Sequence, residues 1–434
     1  MEGQAALFSD LWTFLGVSSI AVCVYAAARA MLRRRYRLPP GPWAWPIVGN
    51  LLQLKGKKGI YYDIIMFRKT YGDVFRLKMG VHEVVFVFGY KYAHEILVKN
   101  GALTTRHPNW MYIPNKIFKG KVKHGHGDPA SMNEIRNRLA ELFTFTQSGN
   151  PENYLPFLAN FERAKVCKSF EIIKIRLLLT ELLLITRFRE IIQKKRDNPE
   201  DPPTDFLQIY LSNYEQEGSK NDISEADLLQ TLIDMFSAGE VNLFMSTKWI
   251  LMALVKYPEV QSKCRSEMRQ VIGQGQKVQS KDRSRTPYTV ATIKEIQRLY
   301  SPVPFTVFHC PIQDIQVGGY DIPKDTFTMI DCKSTCRDRQ VWKDPDIFNP
   351  DRFLGIDLEG QLPERCFTPY GAGPRYCIGK YVADMFMYSL VANILQNFKI
   401  TTKHPEQPLS FEDVYCLFGL QPLHFSEVTL VPLE

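Results

Sequence analysis

Apolar and polar positions divide the chain into an N-terminal apolar run, a proline-rich break and a long, mainly helical remainder. Residues 11–28 carry no charge. As a helix they reach about 27 Å, near the thickness of a bilayer's hydrocarbon core. After the break, apolar spacing predicts helices over 60–69 and 91–99. Short strands are expected at 74–77 and 84–87, with Gly80 turning between them. Residues 106–160 are rich in Gly, Pro, Asn and His, and carry a modest helical pattern only at 133–145. Residues 170–195 read as a helix with a leucine-rich centre. Arg176, Glu181 and Arg187 make it too charged to span a bilayer, which leaves a buried helix or one resting on a membrane surface. Ser224 is a candidate N-cap for a long helix over 225–256, apolar nearly all round and expected to cross the middle of a large domain. Lys380 to Phe398 is a further apolar helix. No repeat or linker divides residues 60–434.

Charge assigns the first two segments. Arg29, Arg33, Arg34, Arg35 and Arg37 follow the apolar run, whereas only Glu2 and Asp10 precede it. That asymmetry predicts an uncleaved anchor with the following chain on the cytoplasmic side. A signal peptide would carry its positive charge first. Pro39, Pro40, Pro42 and Pro46 cannot continue a helix, so a stiff extended connector is expected. The expected layout is an anchor at 1–32, a basic proline-rich hinge at 33–50 and one domain at 51–434.

The 434 residues carry a net charge of +8, with 45% hydrophobic residues. Mean hydropathy is −0.20. These values exclude a disordered chain and a polytopic membrane protein. The nine cysteines include no C-x-x-C pair, and the Cys332/Cys336 spacing lacks a second pair for zinc. Free thiols in a reducing compartment are expected.

Cys377 stands out by its neighbours. Two glycines and Pro374 precede it in a tight loop, and a helix follows, so helix N–H groups favour a thiolate there. Tyr370, Gly373, Arg375, Cys377 and Gly379 together resemble the cysteine loop of the cytochrome P450 family, with Tyr where Phe is usual. Glu295 and Arg298 form E-x-x-R on a helix. Arg352 lies in a segment resembling P-E-R-F. The hinge, ending in Pro46-Ile47-Val48-Gly49-Asn50, resembles that of animal microsomal members.

The resemblance implies a mostly α fold with small β-sheets, one large P450-like domain behind a transmembrane helix. It implies haem b, with Cys377 as the iron ligand and Arg375 and His309 as propionate partners. Tyr370, Gly373 and Gly379 would shape the haem loop. Glu295, Arg298 and Arg352 would form a structural network. Gly239, Glu240 and Asn242 would stand on the oxygen side. Pro304, Phe305, Val307 and Phe418 would face an apolar small-molecule substrate. The implied partners are an NADPH-cytochrome P450 reductase and membrane lipid of the endoplasmic reticulum, not nucleic acid.

Two departures stand out. None of the six Trp has an Arg four residues on, so the family's W-x-x-x-R helix is missing, and 120–160 is short. An internal deletion or a splice form would explain both. In A-G-x-D/E-T, Val241 and Asn242 replace the acid and Thr. Glu240 is one position off, about 100° around the helix. The alternative reading is therefore a haem- or ligand-binding protein without monooxygenase activity.

Overall fold

The computed structural model describes residues 35–54, 60–106, 184–200, 202–216, 225–354 and 365–404, and then 406, 411, 413–416, 419–422 and 427–433. The apolar run 11–28, Ser224 and Phe418 lie outside them. Among the described residues no helix is long and apolar enough to cross a membrane. The described parts fall into two compact units.

The first unit takes residues 35–106, 298–348 and 365–377. Helix α1, Ile60–Tyr71, leads into β1, Val74–Met79, and β2, His82–Val87. Gly80 turns between the strands at φ +62°, a conformation that glycine adopts without strain. Helix α2, Tyr90–His94, continues as a π turn at Glu95–Lys99 and a 3-10 turn at Gly101–Leu103. A five-stranded sheet follows, in the order β1-β2-β7-β4-β3. Here β3 is Thr104–Arg106, β4 His309–Pro311 and β7 Phe327–Ile330. β2 and β7 run parallel and the remaining pairs antiparallel. The hairpin of β5, Ile315–Val317, and β6, Tyr320–Ile322, adds a second small sheet.

Val74, Val85, Val87, Ile96, Val317 and Ile330 pack as one core. Each such side chain contributes roughly 1.5–3 kcal/mol by leaving water. The proline-rich segment is part of this unit and does not stand free as a connector. The Arg76 backbone N–H donates to Pro40 O at 2.8 Å, and its Nε donates to Pro39 O at 3.0 Å.

The second unit is mostly helical. Residues 184–197 are helical. Phe206–Gln216, Glu225–Lys256, Pro258–Val271 and Lys380–Asn397 are further helices. Ile192, Leu207, Leu211, Leu228 and Leu229 pack together, which favours the buried reading for the described end of the leucine-rich helix. The long helix is less enclosed than its apolar pattern implies. It buries Trp249, Ile250, Met252, Ala253 and Leu254, but exposes Met235 and Phe244. Helix Pro287–Tyr300 carries the chain from this unit into the first. The second unit also holds two small antiparallel sheets. One pairs β8, Phe398–Thr402, with β11, Val428–Pro432, and the other β9, Asp413–Cys416, with β10, Gly419–Pro422.

Candidate haem-thiolate site

The cysteine loop is fixed by its own backbone. Gly371 N donates to Thr368 O at 3.0 Å, Tyr376 N to Gly373 O at 3.1 Å and Cys377 N to Tyr370 O at 2.9 Å. Gly373 opens a 3-10 turn, Gly373–Arg375, at φ +67°. A Cβ there would lie 1.7 Å from Leu97 O, so no other residue fits without moving the loop. Gly101 packs against Pro374, where a Cβ would approach Cδ to 2.6 Å. Gly379 is the N-cap of helix Lys380–Asn397, and its carbonyl accepts from Ala383 N at 2.9 Å.

Among the cysteines whose burial is described, exposure sets Cys377 apart. Cys264, Cys310, Cys332, Cys336 and Cys366 are buried, whereas Cys377 is exposed. Burial pushes the Cys366 thiol up to about 12 and the Cys264 thiol up to about 11. These two are neutral core groups at physiological pH. Cys377 is exposed, in a loop closed by backbone hydrogen bonds and followed in sequence by a helix.

Arg375 and His309 are each tied to strand β3. Arg375 Nε donates to Thr104 O at 3.3 Å, and β3 pairs Arg106 with His309. His309 is buried, and its carbonyl accepts from Thr328 Oγ1 at 3.1 Å. No motif in the sequence points to the Leu97 and Thr104 carbonyls, because the π turn and β3 carry no chemical signature.

Buried Glu295 accepts from Arg352 Nε at 3.2 Å and from the Asn349 backbone N–H at 2.9 Å. Arg298 donates Nη1 to Cys336 O at 2.9 Å and Pro345 O at 2.8 Å, and its guanidinium lies 5.2 Å from the Trp342 ring centroid. Arg298 thus ties down loop carbonyls.

On the long helix, an added Cβ at Gly239 would meet nothing within 4 Å. Asn242 Nδ2 donates to Ala238 O at 2.9 Å, so its amide N–H group is turned onto its own helix. Glu240 is partly exposed.

Phe305 is a core residue, its ring centroid 5.3 Å from that of Tyr61, 5.9 Å from Phe86 and 6.1 Å from Phe88. Pro304 is buried, and its carbonyl accepts from Cys332 N at 2.6 Å, capping a turn. Val307 is half-buried.

The sequence profile described as Cytochrome P450 matches residues 39–171 and 133–426. The chain belongs to the cytochrome P450 family. The two matched stretches overlap at 133–171, within the poorly patterned region. Cytochrome P450 2D3 of Rattus norvegicus is 25% identical over 91% of this chain and 93% of its own length. Cytochrome P450 2C16 of Oryctolagus cuniculus is 28% identical over 84% and 88%. Cytochrome P450 2C38 of Mus musculus is 27% identical over 98% and 100%. The first alignment spans 467 positions against 434 residues here, so the relative carries residues that this chain lacks. Membership implies a haem cofactor and, in general, monooxygenase chemistry. The exposed Cys377 and the glycine-lined loop at Gly373 fit that cofactor.

Proposed function

We propose that this chain is a membrane-anchored haem-thiolate monooxygenase that inserts one oxygen atom of dioxygen into an apolar small molecule. The observation that carries this reading is the exposed Cys377 in a loop whose backbone tolerates only glycine at 373. Cys377 would ligate the iron, and a bound haem-thiolate supplies electron density that favours O–O cleavage. Arg375 and His309 would hold the propionates. Glu295, Arg298 and Arg352 hold the surrounding backbone. Two electrons would come from NADPH through a reductase. The layout is an anchor at 1–32, a hinge at 33–50 and a catalytic domain at 51–434, on the cytoplasmic face of the endoplasmic reticulum.

Asn242 favours a second reading, a haem-binding protein with poor turnover. One of its two amide N–H bonds is directed to Ala238 O, and no Thr stands there to pass protons. One experiment separates the two. NADPH consumption with reductase is compared with product formed and peroxide released. Monooxygenation gives product with a Cys377-dependent haem spectrum. Haem binding with peroxide alone supports the second reading, and failure to bind haem defeats both.

A further inference from the structure

We propose that a buried hydroxyl pair, Thr335 and Thr368, seats the cysteine loop on the short helix Cys332–Thr335, and that both threonines are positioning residues for Cys377. This inference rests on the proposed role of Cys377 as iron ligand. Both threonines are buried, and their hydroxyls are hydrogen-bonded to each other. The direction of that bond follows from a neighbour. Thr335 Oγ1 donates to Cys332 O at 2.7 Å, which uses its one proton. Thr335 therefore accepts from Thr368, across 33 residues of sequence. Phe367 and Pro369 flank Thr368 and carry no hydroxyl, so the bond specifies one register of the loop.

The helix is anchored independently of the loop. Asp331 caps it by accepting from Ser334 N at 2.7 Å, and Asp331 N donates to Val87 O of β2 at 2.8 Å. Arg298 Nη1 donates to Cys336 O at 2.9 Å, and Trp342 Nε1 to Thr335 O at 3.1 Å. On the loop side, Thr368 O accepts from Gly371 N at 3.0 Å. Tyr370 O, two residues on, accepts from Cys377 N at 2.9 Å. The threonine pair thus joins the anchored helix to the turn that holds the Cys377 backbone. Cys332 and Cys336, one helical turn apart, flank the pair. Burial raises both thiols above their ordinary value, and the Gly371 N–H at Cys332 and the Thr368 N–H at Cys336 oppose it only in part. Both are neutral while the loop is seated, and react when it lifts.

The full chain in membranes tests the seat by two readouts. Peptide-resolved labelling with N-ethylmaleimide follows Cys332 and Cys336 and needs no haem. The reduced, carbon monoxide-bound spectrum gives the thiolate-type share of the haem that is bound. Far-UV circular dichroism establishes that each variant folds. Thr335→Val keeps the side chain's shape but leaves the Thr368 hydroxyl buried without its acceptor. Labelling of Cys336 should rise about tenfold, and the thiolate-type share should fall. Thr335→Ser restores the acceptor and should match the native chain in both readouts. Thr368→Val leaves Thr335 bonded to Cys332 O, so it should change both less than Thr335→Val does. T335V/T368V strands no donor and should label more slowly than T335V. Native labelling and a native spectrum in folded Thr335→Val would overturn the seat, as would a Thr368→Val variant that is equally disruptive. If Thr335→Val does not fold, Thr368→Val is compared with Thr368→Ser. Faster Cys336 labelling in the valine variant then supports the seat, and equal labelling overturns it. A native chain with haem but no thiolate-type band would count against the iron-ligand reading, and the labelling would still decide the seat.

Discussion

Gly373→Ala tests whether close backbone contact, and not merely a left-handed conformation, shapes the cysteine loop. An Ala at φ +67° pays roughly 1–2 kcal/mol for that conformation. Its Cβ would also start 1.7 Å from Leu97 O, whereas real Cβ contacts stay above 3.0 Å. The loop must therefore move by more than an ångström. That shift breaks Tyr376 N→Gly373 O and Cys377 N→Tyr370 O, at about 1 kcal/mol each. The expected loss is about 3–4 kcal/mol. Gly371→Ala is the internal control. Its φ of +75° carries the same conformational penalty, but its nearest neighbour, Tyr376 Cα, stands 4.0 Å away. It should lose only about 1–2 kcal/mol. Thermal melting and haem titration of the two variants provide the assay. Gly373→Ala should melt well below Gly371→Ala and bind haem weakly. Equal effects from the two substitutions would refute the contact argument.

Three other outcomes are expected. Glu295→Ala removes the buried acceptor of Arg352 Nε and the Asn349 N–H, and should destabilise the chain by about 3–5 kcal/mol. In a double-mutant cycle, adding Arg352→Ala should cost much less than it costs alone. Burial raises the Asp331 carboxyl from 3.8 to about 6. The folded chain therefore holds a proton that the unfolded chain loses across this window, and stability falls as pH rises through it. Above the window the ionised group costs about 3 kcal/mol. Asp331→Asn keeps the Oδ1 that accepts from Ser334 N at 2.7 Å, and should raise the melting temperature far more above pH 7 than near pH 4. Asn242→Thr should lower peroxide release per NADPH consumed without changing the haem spectrum.

The helix pattern was legible where apolar positions recur on one face. The long helix expected over 225–256 is Glu225–Lys256, and the two strands extend only to Met79 and from His82. Cys377, Arg375 and the glycines were legible as a motif because loop chemistry is local. Their supports were not. Leu97 O and Thr104 O are backbone atoms more than 270 residues upstream, and any residue type supplies a carbonyl. Phe305 shows how little an apolar residue in sequence says of its neighbours, since its ring packs against Tyr61, Phe86 and Phe88. The prolines of the hinge signalled extended backbone. They did not reveal that Arg76 binds that backbone and draws it onto the sheet edge.

The central claim is that Cys377 ligates haem iron. The most direct measurement is the reduced, carbon monoxide-bound absorption spectrum of the full chain in membranes, beside Cys377→Ala. The account predicts a thiolate-type Soret band in the native chain and its loss in the variant. A thiolate-type band that persists in Cys377→Ala would contradict it, as would absence of haem from the native chain.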